Sequence, residues 1–222
     1  MEHLCDASPL NAMVTTITAQ VKLRTAREED LDYITADKVY DAVDCIVRRN
    51  NYTLNRKTFK NCRIFGVIIK STRGGKRSVS VKVFRNLTLH IVGSHSLEMI
   101  NKIAARIAAE LSDEMKLPLT PGRPDISMVN YAYSLPGPVR LRSLCELLRD
   151  THNLLVFFDP SKYAGVTVKV PIQETTCSLM IFESRKIIIS TPRCAERDTL
   201  LSNVIKFIET AVVHHWNEVR MV

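Results

Sequence analysis

One stretch of this sequence occurs twice and defines a repeat half as long as the chain. The first copy, residues 59–70, reads Phe-Lys-Asn-Cys-Arg-Ile-Phe-Gly-Val-Ile-Ile-Lys, and the second, residues 158–169, reads Phe-Asp-Pro-Ser-Lys-Tyr-Ala-Gly-Val-Thr-Val-Lys. Their matched positions, from Phe59 and Phe158 to Lys70 and Lys169, keep a constant offset of 99. This period is too long for a solenoid and predicts a domain duplicated in tandem.

Both copies continue through a polar turn into two further strands. These are residues 79–84 and 87–92 in the first copy, and 177–182 and 186–190 in the second. Because side chains alternate across a strand, one face receives Val79, Val81, Val83, Leu87, Leu89 and Ile91. The opposite face receives Ser80, Lys82, Phe84, Thr88, His90 and Val92. The first face is apolar enough to form the core, and the second is mixed.

The flanking segments predict the remaining elements. A β-branched run at 12–23 predicts a first strand. Apolar residues at helical spacing predict a helix ending near residue 49 and another after Ser96, which we expect to be its N-cap. A proline-rich linker at 117–124 precedes a second cycle with the same order of elements, beginning with a strand at about 126–133.

Each copy therefore has the order strand, helix, four strands, helix, and the fold class is α+β. We place the first repeat at 12–116, the linker at 117–124 and the second repeat at 125–218. Edge strands of the two copies can pair into one antiparallel sheet of about ten strands, with four helices on a single face. The other face would be open to solvent and is a candidate docking surface.

The composition narrows the classes of partner. The net charge of +8 favours an anionic partner, although a basic protein that merely stays soluble has the same charge. The six cysteines are dispersed without zinc spacing, which indicates reduced thiols in an intracellular protein. The N-terminus lacks the features of a signal peptide, and no apolar run approaches the ~20 residues that span a bilayer. We therefore expect no membrane partner and no metal or other cofactor.

Several segments resemble motifs of the TATA-box-binding protein (TBP) family. Residues 158–166 resemble its Tyr-x-Pro-x-x-Phe-x-Gly segment, and residues 180–189 resemble its Leu-Ile-Phe-x-Ser-Gly-Lys-Ile-Val-Ile hairpin. In the first copy, residues 81–84 and 91–93 occupy the matching places. The likeness covers roughly residues 12–218. It implies a saddle with four helices on the convex side and a concave sheet that binds the DNA minor groove, with A·T-rich duplexes as the expected partner.

The resemblance implies two pairs of wedges that pry apart base steps. Carried over, these are Ile64 (or its neighbour Phe65) with Phe84, and Tyr163 with Phe182. Inserting an apolar wedge costs a few kcal/mol of unstacking per step, which the bent duplex offsets by contacting more protein. Recurrence of Phe84 and Phe182 at matched positions favours this role over simple packing at a hairpin end.

Other matched positions imply further DNA contacts, some with altered chemistry. The family's two central asparagines correspond to Ala12 and Asp125, and an aspartate facing the acceptor-rich floor of an A·T minor groove is unfavourable. We therefore expect generic minor-groove or bent-DNA binding rather than TATA preference. The predicted contacts on the strands, besides the wedges, are Val14, Lys82, His90, Val92, Lys169, Met180, Lys186, Ile188 and Ser190.

Two turns between the third and fourth strands are candidate contact loops. The first has Lys70, Arg73, Lys76 and Arg77 around two glycines, which suits phosphate contact or a solvated basic turn. In the TBP family the equivalent loops also dock transcription factors. The resemblance therefore implies initiation factors or RNA polymerase as protein partners, with Glu174 of the second turn as a candidate docking residue.

Two other function classes remain open at this point. The sequence has no P-loop, zinc-protease or serine-hydrolase motif, and its acidic pairs at 28–32 fall in a predicted surface insertion, so we expect no catalysis. The second class is an interaction or structural protein that keeps the fold without binding DNA, such as a viral transcription-complex or virion component. Ala12, Asp125 and Lys82 favour that class.

The closing residues bear on the source of the protein. His214-His215-Trp216 resembles the ending of TBP-like proteins from large cytoplasmic DNA viruses. Adjacent histidines diverge around a helix and cannot share a metal by themselves, so we expect a helix-end surface. The expected location is the nucleus or, for a viral protein, the cytoplasmic viral factory and the virion.

Overall fold

The computed structural model describes residues 11–27, 29–30, 34–54, 61–70 and 76–221. These residues form antiparallel strands and helices, which confirms the predicted α+β class. The chain divides into two compact units. The first unit is Thr16–Ser127, and the second unit consists of the described residues before Thr16 and those from Met128 onward. The repeat boundaries at 12–116 and 125–218 were drawn on sequence likeness and stay a prediction.

The first unit is a sheet with two long helices. Its strands are β1 (Met13–Thr25, from Thr16 onward in this unit), β2 (Thr53–Leu54), β3 (Cys62–Lys70), β4 (Lys76–Phe84) and β5 (Thr88–Ser94). Among the described residues their hydrogen-bonded order is β2, β3, β4, β5, β1. The helices are α1 (Ala36–Arg49) and α2 (Leu97–Met115). A short strand, β6 (Leu119–Pro121), pairs with the end of β1.

The second unit repeats this plan with shorter helices. Its strands are β7 (Asp125–Ser134, from Met128 onward in this unit), β8 (Leu155–Phe157), β9 (Gly165–Ile172), β10 (Thr175–Phe182) and β11 (Lys186–Pro192), in the order β7, β11, β10, β9, β8. The helices are α3 (Leu141–Glu146), α4 (Arg197–Ile208) and the short α5 (Trp216–Val219). π-helical turns extend α3 over Leu147–Thr151 and α4 over Glu209–Val213.

The strand register defines the two faces of each sheet. In the first unit, Val81 pairs with Ile91, and both are fully buried on the side that α1 and α2 cover. The alternate residues, such as Lys82 opposite His90, point the other way. In the second unit the buried face includes Ile181 opposite Ile187. We call the face directed away from a unit's own helices its outer face. The predicted face assignment of β4 and β5 is confirmed.

Local contacts fix the helices on the inner face of the first unit. The Ser96 hydroxyl accepts a hydrogen bond from the amide of Met99 at 3.2 Å, which confirms the predicted N-cap of α2. On β3, the guanidinium of Arg63 lies 4.4 Å above the ring of Tyr40 and 3.3 Å from a carboxylate oxygen of Asp44. Both partners belong to α1, so Arg63 joins this helix to the sheet.

Two features of the fold differ from the sequence analysis. The linker at 117–124 contains β6, because proline excludes helix yet is tolerated at the end of an edge strand. With β6 included, the described strands number eleven, in agreement with the expected sheet of about ten. The first helix of the second repeat is also divided, because α3 passes into a π-helical turn at Leu147.

Candidate nucleic-acid interface

Two aromatic rings meet on the outer face of the second unit. Phe182 ends β10 and pairs with Gly165, where the absence of a side chain leaves room for the ring. Tyr163 lies just before β9 with 47% of its surface exposed. The two ring centroids are 5.9 Å apart at an interplanar angle of 62°, an edge-to-face contact. The structure thus brings the predicted pair Tyr163 and Phe182 together, with Tyr163 in solvent.

The first unit has one half-exposed ring at the matching position. Phe84 ends β4 on the outer face, opposite Cys62. Ile64 lies on the same face, opposite Lys82, but only 6% of its surface is exposed. The outer face therefore offers Phe84 to a ligand more readily than Ile64.

Phe65 is not a wedge, and the sequence alternative that named it is wrong. Adjacent residues of a strand point to opposite faces, and Phe65 pairs with Val81 on the inner, helix-covered face. Its side chain is fully buried. Its ring also stacks on Tyr52, with centroids 5.2 Å apart and planes within 10°. Phe65 therefore belongs to the core.

The row of side chains beside the wedges differs between the two units. In the first unit it runs across three neighbouring strands as Lys82, His90 and Gln20. Partial burial and the nearby Lys82 lower the pKa of His90, in that order of importance, which favours the neutral imidazole at pH 7. In the second unit the equivalent row is Met180, Ile188 and Ala132. One row is polar and the other apolar.

The next row of side chains along each sheet has similar chemistry in the two units. In the first unit, Ser80 pairs with Val92, which pairs with Thr18. In the second unit, the row of Lys169, Ser178, Ser190 and Asn130 crosses four strands. Hydroxyl and amide side chains make up most of both rows.

The outer faces are depleted of negative charge. The sequence contains 23 Asp and Glu residues, yet the paired outer-face positions of the described strands include none of them. The lysines at these positions whose side chains are described are Lys22, Lys76, Lys82, Lys169 and Lys186. Positive charge without opposing carboxylates suits a polyanionic ligand.

Three exposed apolar residues of the outer faces were not predicted from the sequence. In β8, Leu155 pairs with Lys169 and Phe157 pairs with Thr167, and their exposed fractions are 59% and 54%. In β3, Ile68 pairs with Ser78 and is 57% exposed. A three-residue strand has too short an alternation to assign faces, but the apolar side chains flanking Val156 were a usable signal.

The other predicted contact residues differ in exposure and in the face on which they lie. Lys76 and Lys186 are exposed on the outer faces, whereas the register places Arg77 on the inner side of the strand end. Glu174 is exposed in the turn between β9 and β10, and Val14 is half-buried in β1. Arg73 lies outside the described residues, as does the side chain of Lys70.

The two positions matched to the family's asparagines have opposite exposure. Ala12 is buried, and Asp125, the first residue of β7, is exposed. The predicted conflict between a carboxylate and the minor groove therefore concerns Asp125, whose side chain is accessible.

The described residues show no arrangement typical of a metal site or of a membrane-spanning helix. They contain no group of three or more His, Cys, Asp or Glu side chains placed to hold a metal ion. The five described cysteines are free thiols, and burial raises the pKa of Cys62, Cys145 and Cys177. None of the described helices combines the length and apolar character needed to cross a bilayer.

Comparison with known proteins identifies the fold. No protein-family model matches the sequence, and no curated protein matches it. Among solved structures, the chain is similar to the TBP of Methanococcus jannaschii, with a TM-score of 0.56 over 90% of this chain and 98% of that one. The sequence identity is 15%. The chain therefore has the fold of TBP, as its duplicated order of elements predicted.

Proposed function

We propose that this protein is a divergent TBP-like transcription initiation factor that binds duplex DNA in the minor groove, through the outer faces of its two units, and bends it. One observation carries the proposal: each outer face combines a phenylalanine at the same repeat position, Phe84 or Phe182, with lysines and no paired acidic residue. The TBP fold supports it.

The aromatic residues supply the bending step. Phe182 ends a strand and is partly exposed, so its ring can enter a base step without unfolding the sheet. Tyr163, in edge-to-face contact with it, can support the ring from one side. Unstacking a step costs a few kcal/mol, and contacts from the bent duplex to both units offset that cost.

The lysines supply a contact that does not depend on base sequence. Each phosphate that a lysine neutralises releases condensed counterions. The logarithm of the binding constant therefore falls linearly with the logarithm of the salt concentration, with a slope of about 0.9 per phosphate contact. Five outer-face lysines with described side chains would give a steep dependence. An interface built for a protein partner would have a weaker dependence.

The protein partners and the setting follow from the same proposal. A bent promoter complex acts by recruiting other factors, and the exposed turn with Glu174 is a docking site for an initiation factor or polymerase subunit. The proposed function includes no catalytic step. The viral source, and with it the viral factory and virion as locations, stays a prediction from the closing residues.

An interaction protein without DNA binding is the second candidate, and Asp125 favours it. Its carboxylate is exposed at the start of β7, where the resemblance expects a base contact. Such a protein would retain the fold and the docking turn but would not bind a duplex.

Binding measured against salt separates the two candidates. We expect an A·T-rich duplex to bind in low salt and, if the five lysines contact phosphates, to lose about 500-fold in affinity between 50 and 200 mM salt. Phe182→Ala should weaken binding, whereas Phe207→Ala should not. Phe207 is the matched control because its half-buried ring lies on helix α4, in edge contact with His152 at 6.1 Å. Absent binding, or equal losses in the two variants, contradicts the proposal.

A further inference from the structure

The polar row of the first unit and the apolar row of the second occupy equivalent positions. Lys82 and Met180 differ by 98 residues, as do His90 and Ile188, which is the offset of the repeated hairpin. On the neighbouring strand, Gln20 pairs with His90 just as Ala132 pairs with Ile188. The duplication has therefore kept the backbone positions and exchanged the chemistry of all three side chains.

The two rows would contact the hydrogen-bonding groups on the floor of the minor groove. An A·T pair presents only acceptors there, and a G·C pair adds one donor, the N2 amino group of guanine. An apolar row cannot accept a hydrogen bond from that amino group, and a buried donor without a partner is costly. The row of Met180, Ile188 and Ala132 should therefore exclude guanine.

The polar row can satisfy both kinds of base pair. Gln20 has an amide oxygen that accepts and an amide nitrogen that donates. A neutral His90 has one nitrogen of each kind, and the direction of its pKa, lowered by burial and by Lys82, keeps it neutral at pH 7. Lys82 donates to the acceptors that every base pair presents. Gln20 is exposed and the other two are half-buried, so all three can reach a ligand.

We infer that the first unit tolerates G·C pairs through Gln20, Lys82 and His90, whereas the second unit requires a minor groove without the guanine amino group. This inference rests on the proposed DNA binding and adds the class of base pair that each unit accepts. The preferred duplex then has either A·T or G·C pairs at the positions that contact the first unit. At the positions that contact the second unit it has no guanine.

Inosine provides the probe, because it is guanine without the N2 amino group. In an A·T-rich duplex, each position is replaced in turn by a G·C or an I·C pair, and the ratio of the two dissociation constants is measured. We expect ratios near one at the positions facing the first unit. At the positions facing the second unit we expect ratios of about ten or more, the usual penalty of one unfavourable base pair.

Replacing the polar row by the apolar one tests whether these three residues cause the tolerance of G·C pairs. The triple variant Gln20→Ala, Lys82→Met, His90→Ile gives the first unit the chemistry of the second, and the tolerated positions should then reach ratios of about ten. Its binding to the I·C duplexes is the internal control for folding. Gln20→Leu alone, at an exposed site, should raise the same ratios by a smaller factor.

The outcomes separate this inference from the function on which it rests. High ratios at all contacted positions of the unmodified protein, or ratios unchanged in both variants, would overturn the inference while leaving DNA binding intact. Absence of binding to every duplex, I·C duplexes included, would overturn the proposed function itself.

Discussion

Gly165→Ala should displace the ring of Phe182 without removing any group from it. A Cβ at this position would lie 3.0 Å from Cε1 and 3.2 Å from Cδ1 of Phe182, and 3.3 Å from the carbonyl oxygen of Ile181. Ordinary carbon contacts are about 3.5 to 4.0 Å. The ring must therefore move by roughly 0.5 Å.

The size of the effect follows from two opposing contributions. Overpacking costs about 1 to 3 kcal/mol, and the half-exposed ring of Phe182 can yield toward solvent, which favours the lower end. Replacing glycine by alanine also reduces the entropy of the unfolded chain, which stabilises by about 0.4 to 1 kcal/mol. With an overpacking cost of about 1 to 2 kcal/mol, the expected net loss in the free energy of unfolding is about 0.5 to 1 kcal/mol.

Urea unfolding measures this loss, with Gly66→Ala as the matched control. Gly66 has the equivalent repeat position, but its Cβ would approach the hydroxyl oxygen of Ser78 at 2.8 Å, and that exposed side chain can rotate away. We expect Gly165→Ala to lower the urea midpoint by a few tenths of a molar unit. Gly66→Ala should leave it unchanged or raise it. The fluorescence of Trp216, the single tryptophan, follows the second unit, and circular dichroism follows both.

The two glycine variants also test the position of the Phe182 ring. If Gly165→Ala were as stable as Gly66→Ala, the ring of Phe182 would not lie over Gly165. The wedge geometry of the second unit would then be wrong.

Two further predictions concern the core of each unit. Tyr52→Phe should lose about 1 to 2 kcal/mol in urea unfolding, because the Tyr52 hydroxyl donates to Glu110 at 2.8 Å and that carboxylate is 15% exposed; an unchanged midpoint would contradict this. Burial raises the pKa of Cys177 from 9.0 to about 11, so only the unfolded state ionises between these values, and stability falls as pH rises from 9 to 11. Cys177→Ala should flatten this alkaline fall by about 2 to 3 kcal/mol, the equivalent of that pKa difference; parallel pH curves for the two proteins would contradict it.

Much of the fold could be predicted because its strands alternate regularly. The alternation of β4 and β5 places Lys82 and His90 on one face and Val81 and Ile91 on the other, and the register agrees. Ser96 before an apolar helical stripe was sufficient to locate the start of α2. These signals depend on residues that are close together in the chain, so they can be recognised from the sequence alone.

What could not be predicted depends on register or on packing between distant residues. Ile64 and Phe65 are neighbours, and only the pairing of β3 with β4 decides which of them lies on the outer face. The two residues of β8 that extend that face, Leu155 and Phe157, are placed by their pairing with β9. The edge-to-face contact of Tyr163 with Phe182 likewise requires two strands to meet.

The end-to-end distance of a bound duplex shows whether this protein bends DNA. An A·T-rich duplex labelled with a donor and an acceptor fluorophore at its two ends should give higher energy transfer when the protein saturates it, because bending shortens the distance between the ends. The double variant Phe84→Ala, Phe182→Ala should bind more weakly and, at saturation, bend the duplex less. Saturation of the duplex with no rise in transfer, or an equal rise with the double variant, would contradict the account.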